Sequence, residues 1–341
     1  MTLPFVRTVL LHSLALSLAL AETRYQVVER HPIGGKGGFD YITLDAAAQR
    51  LYLSHGTQVE VVDLKTGKPI GVIGDTPGVH GVAIATPFKH GFTTNGAEHK
   101  VSMFDPATLK VIQKIDVGRG PDGIYFHPGS KRIFTNNHGS HDITAIDAGT
   151  GKVVGTVKIG GDGEQAIIGK DGMIYVNSED TNDVVVFNPK TLEVIKRFPI
   201  GVAQVPTGLA YDPKTQRLFI SCRKEPKMVV MDATSGKVIA QFPIGTGADW
   251  AEFDASSKLV FVSTGEGILN IFRQKSADVY EDAGPVKTQP SAKTMAFDRK
   301  TKKIYLPAAE YEMVPAAEPG KPARRTIKPD TFVLLVAEKR P

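Results

Sequence analysis

The side chains best suited to chemistry recur in one kind of place. His80, Asp122, Glu164 and Asp249 each follow a glycine or proline turn and begin an apolar run. They lie in Pro77-Gly78-Val79-His80-Gly81, Pro121-Asp122-Gly123, Gly163-Glu164-Gln165 and Gly247-Ala248-Asp249. Imidazoles and carboxylates that converge can hold a divalent metal or exchange protons. The oxygens suit calcium, whereas the imidazoles suit copper or zinc. No metal-ligand spacing motif accompanies the four, so their chemistry depends on whether the fold gathers them. His80 and Glu164 are the candidates for acid–base work, and His55, His138 and Arg223 are further candidates for ligand contact. There is no Gly-x-Ser-x-Gly, His-Glu-x-x-His, Cys-x-x-Cys or P-loop pattern, so hydride and haem chemistry are not expected.

A repeat must position these residues. Apolar residues followed by Asp or Asn recur as Val61-Val62-Asp63, Met103-Phe104-Asp105, Ala145-Ile146-Asp147, Val186-Phe187-Asn188 and Val230-Met231-Asp232, with anchors 42, 42, 41 and 44 residues apart. A degenerate copy ends at Arg273. Each unit holds four runs of period-2 alternation, which is the pattern of a β-propeller blade. Polar clusters such as Asn136-Asn137-His138-Gly139 end the second strand of each unit, and counting them gives seven blades. The fold expected is therefore an all-β, seven-bladed propeller of four-stranded antiparallel blades. Tyr25 to Arg30 should pair outside the strand Phe332 to Val336 and close the ring, so that no sheet edge stays open.

The strand ends Ile174-Tyr175-Val176-Asn177, Ile133-Phe134-Thr135-Asn136 and Phe92-Thr93-Thr94-Asn95 resemble the Tyr-Val-Thr-Asn motif of the YVTN-repeat, YncE-like bacterial propeller family. The resemblance spans roughly Gly38 to Ala337 and implies the fold. It implies little about activity, because such rings serve in electron-transfer subunits, lactonases and lyases alike.

Strand order sorts the loops onto two ends. The second-to-third loops and the links between blades share one end, the mouth. It carries His55, His138, Arg223 and Glu179 in loops, with Asp40, His80, Asp122, Glu164, Asp249 and Trp250 at the innermost-strand starts. Asn95, Asn136 and Asn177 are expected to tie down their own loops, and Trp250 to pack between blades. The far end carries Lys65, Lys110, Lys131, Lys190, Lys237 and other basic residues, in a chain of 41 Lys+Arg against 36 Asp+Glu. That face could meet nucleic acid or another polyanion, but aromatic residues for base stacking are sparse there.

Residues 1–21 read as an export signal, with Arg7 before the apolar run Val9 to Leu20 and a small-x-small site at Ala19-Leu20-Ala21. Residues 22–341 form the propeller, and residues 308–330 a proline-rich insertion in the last blade. No transmembrane helix is expected, and a closed ring needs no partner, so a monomer in the periplasm or outside the cell is anticipated. Cys222 is the one cysteine and should be a partly buried thiol. The function expected is a binding protein whose mouth takes a small ligand, a metal or a protein partner. A metal-dependent lactonase- or lyase-like enzyme is the alternative, and polyanion binding on the far face the second.

Overall fold

The computed structural model describes residues 25–315 and 323–340. The segment expected to be an export signal and the middle of the proline-rich insertion lie outside the described residues. Each repeat unit folds as one antiparallel sheet, and seven such sheets form a seven-bladed β-propeller. The blades run from the innermost strand outward in chain order, as in Val79–Ala85, His90–Asn95, Lys100–Phe104 and Val111–Asp116. The sixth adds a short strand, Val286–Lys287, beside Ile268–Gln274. In the seventh, Tyr25–Pro32 pairs outside Val333–Lys339 and closes the ring as the sequence predicts. Among the described residues no helix is long and apolar enough to cross a membrane.

The recurring Asp anchors make the third-to-fourth turns. Asp147 Oδ1 accepts the Thr150 amide at 2.8 Å and its hydroxyl at 2.9 Å, and Asp63 does the same with Thr66. A short acceptor side chain is thus what the turn requires.

Packing is between blades. Second strands place an aromatic at one recurring position: Tyr52, Phe92, Phe134, Tyr175, Phe219, Phe261 and Tyr305, all buried. Several meet a ring on a neighbouring strand or blade, as Phe134 meets Phe187 edge-on at 5.5 Å. Apolar clusters fill each junction between adjacent blades. Burying one such ring is worth about 2–3 kcal/mol. Cys222 lies wholly buried in the cluster between the fourth and fifth blades, where burial lifts its thiol to about 12.

Candidate functional site

The site begins with a recurring irregularity. Pairing between the first and second strands shifts register between Val79 and Val82, Pro121 and Ile124, Gly163 and Ala166, and Ala248 and Trp250. Such bulges re-aim side chains, and these interruptions hold His80, Asp122, Glu164 and Asp249. The neighbouring blade fixes the same position from outside. Thr94 Oγ1 donates to the Asp122 carbonyl at 2.6 Å, Asn136 Nδ2 to that of Glu164 at 2.6 Å, Asn177 Nδ2 to that of Thr207 at 3.1 Å, and Ser263 Oγ to that of Lys293 at 2.5 Å. Asn136 and Asn177 therefore clasp the next blade rather than their own loops. Asn95 does bond locally, to Glu98 and Ser102.

The four clasped residues, Asp122, Glu164, Thr207 and Lys293, have Asp40, His80 and Asp249 as their equivalents in the other blades, one position per blade. Close packing explains the glycine that often follows. A Cβ at Gly123 would lie 2.9 Å from Asn136 Nδ2, and one at Gly208 2.6 Å from the Ala251 amide. After Asp40, Glu164 and Asp249 a larger residue follows and its side chain turns into the channel. Tyr41 reaches toward the third and fourth blades and meets Trp250 at a tilt, with ring centroids 5.3 Å apart and planes 52° from parallel. Gln165 binds the Leu209 and Ala251 amides and the Ala251 carbonyl. Tyr41, Gln165 and Trp250 thereby divide the channel.

On the mouth side lies a cavity of about 380 Å³, lined by Asp40, Tyr41, His80, Asp122, His138, Glu164, Glu179, Arg223, Asp249 and Lys293. It has two electrostatically different halves. In one, Asp249 pairs with Arg223 and with Lys293 at 2.5 Å, Lys293 also reaches Asp40 at 2.9 Å, and Arg223 reaches Glu179 at 2.8 Å. Those acids are neutralised by permanent cations.

The other half holds Asp122 and Glu164 with imidazoles and a phenol. His80 Nδ1 hydrogen bonds to Asp40 at 2.8 Å and stands 3.0 Å from Asp122 Oδ1. The His80 N–H is aligned on Asp40, so Asp122 Oδ1 is buried with an ion-pair contact to His80 but no aligned hydrogen bond. His138 Nε2 lies 3.2 Å from Asp122 Oδ2, 4.0 Å from Glu164 Oε1 and 2.9 Å from the Gly163 carbonyl. The Tyr41 hydroxyl sits 3.2 Å from Asp122 Oδ2 and 3.1 Å from Glu164 Oε2.

Burial opposes the charge on His80, but Asp122 and Asp40 outweigh it and raise its pKa to about 10. Burial also works against Asp122, yet His80 above all keeps it below the usual carboxylate range. Glu164 goes the other way: burial, then the charges of Asp122 and Asp249, push it well above that range. Burial and the same carboxylates hold the Tyr41 hydroxyl protonated. The protons balance if Tyr41 donates to ionised Asp122 and neutral Glu164 donates to the Tyr41 oxygen.

Of the residues singled out in the sequence, His80, Asp122, Glu164, Asp249, His138 and Arg223 meet in this cavity. His55 does not. Its Nδ1 contacts Glu60 at 3.2 Å, its ring lies 4.7 Å from that of Phe332, and Gly35 covers it. Trp250 packs on the cluster between the last two blades while also facing the channel below Tyr41. Sequence reasoning missed Tyr41 and Lys293. Blade-to-blade spacing from Asp249 points near Lys293, but the seventh blade lacks the repeat's turn motif there.

Fold and site together define a seven-bladed propeller with an acidic, imidazole-bearing mouth. No family model matches the chain, and no curated protein matches it. Among solved structures it is similar to hydrazine synthase of Kuenenia stuttgartiensis, with a TM-score of 0.70 and 17% identity over 80% of this chain and 92% of that one. At that identity the likeness shows the fold alone.

Proposed function

We propose that this propeller is an exported binding protein whose mouth holds a borderline divalent metal ion, zinc or copper. The donors are Asp122, His138 and Glu164. Asp122 carries the argument: it is nearly wholly buried and both His–carboxylate groups of the cavity share it, Oδ2 facing His138 and Oδ1 facing His80. The candidate ligand atoms within each group lie within 4.8 Å of one another. A tetrahedral ion with bonds of about 2.0–2.2 Å holds its ligand atoms about 3.3–3.6 Å apart. The 3.2 Å between His138 and Asp122 is close to that, and the 4.0 Å to Glu164 requires a small inward movement. The metal would replace the hydrogen that His138 Nε2 gives to Gly163. An imidazole with two carboxylates favours zinc or copper over calcium. Export rests on Arg7 and the apolar run after it, and membership of the YVTN-repeat family on the strand-end motif.

Calorimetry of the dialysed protein with zinc or copper tests the site. One ion per chain is expected, with Asp122→Asn and His138→Gln each losing more than the about 10–100-fold that outer-shell changes cost. No stoichiometric binding of either ion defeats the proposal. Turnover of a lactone by the loaded protein would move the site to the enzyme class.

A further inference from the structure

Below the divide made by Tyr41 and Gln165, the channel continues as a second cavity of about 460 Å³. Its lining is mixed, and Ile84, Ile124, Phe126 and Trp250 give it apolar surface that the mouth lacks. Besides Glu164 at the divide, one acidic and one basic side chain line it, Glu252 and Arg299. Glu252 is turned toward the wall, where its Oε1 accepts the Trp250 indole N–H at 3.2 Å. Burial raises its pKa, which favours the neutral acid. Arg299 stands at the rim with its side chain 67% exposed. It gives one donor to the Phe253 carbonyl at 3.3 Å and stays 3.8 Å from Glu252, beyond hydrogen-bond reach. Most of its side chain is open to solvent, and Lys170 lines the adjoining cavity of about 590 Å³. An aromatic wall in a cavity with a planar, donor-rich cation at its rim suits a flat molecule carrying one carboxylate.

We propose that this cavity binds a small aromatic carboxylate, its ring against Trp250 and its carboxylate on Arg299. The site is separate from the mouth and does not depend on a metal there. Trp250 is the only tryptophan in the chain, so its fluorescence reports on the site without a label.

The test is titration of the protein with 3-phenylpropanoate, followed by tryptophan fluorescence and by calorimetry. A saturable one-to-one change is expected. Arg299→Gln should weaken binding about tenfold or more, as should use of 3-phenylpropanamide as the probe. Arg299 is exposed, so this substitution leaves the fold intact, and circular dichroism would check it. Three results would each overturn the proposal: no saturable binding, equal affinity of wild type and Arg299→Gln, or a preference for 3-phenylpropylammonium.

Discussion

Lys293 joins two carboxylates at the closing side of the ring, and its removal makes the sharpest prediction. Its Nζ lies 2.9 Å from Asp40 and 2.5 Å from Asp249, linking the first, sixth and seventh blades. Lys293→Met keeps the stem and removes the charge. Breaking a buried pair by removing one partner costs about 3–5 kcal/mol. Two features lower that figure here. Asp40 keeps His80 and Asp249 keeps Arg223, and the lysine side chain is 31% exposed to cavity water. The expected loss is therefore about 2–3 kcal/mol. For a chain of this size that lowers Tm by about 3–5 °C. Equilibrium urea unfolding followed by circular dichroism measures the loss. The double variant Lys293→Met/Asp40→Asn should recover at least about 1 kcal/mol, because it also removes a carboxylate that lost its cation. A loss below about 0.5 kcal/mol, or no recovery in the double variant, would refute the view that the mouth depends on this pairing.

Three other predictions concern the frame. Gly91→Ala should destabilise by about 2–3 kcal/mol, since a Cβ there would stand 2.1 Å from the buried Phe104 ring; urea unfolding reads the loss, and a neutral result would mean that the ring can shift freely. Removing the closing strand Tyr25–Pro32 should expose the Val333–Lys339 edge, and light scattering should then show association that the full ring lacks. Stability should also fall as the pH drops from about 4 to 2. Burial works against the charge on Asp254, but hydrogen bonds from Ser257, Lys302 and Ser256 outweigh it and hold its pKa down at about 2. A carboxylate depressed by folding contributes stability above its unfolded pKa and loses it as pH falls through the folded one. Urea midpoints across that range should drop less steeply in Asp254→Asn.

Much of the frame was legible in the chain because it is made of local rules repeated. The Asp anchors mark turns, alternation marks strands, and the spacing between copies counts blades. Ring closure by Tyr25–Pro32 also followed, since seven copies left one outer strand missing at the far end of the sequence. His80, Asp122, Glu164 and Asp249 stood out because each occupies the same place in its copy. His55 misled for a related reason: loop type assigns an end of the ring but not a direction. Its side chain turns outward onto Phe332.

The sequence by itself determined the blades, their number and the position each offers to the channel. Tertiary structure decided which of those positions act on one another. Asp40 and Lys293 are 253 residues apart and meet only because the ring closes. Tyr41 contacts Asp122 and Glu164 because its side chain is long enough to reach blades that are not its neighbours. Those contacts set the charges: Asp249 is paired with two cations, while Asp122 is held below the usual carboxylate range and Glu164 pushed above it. Electrostatic interaction depends on distance and burial, and neither is written in the order of residues along a chain.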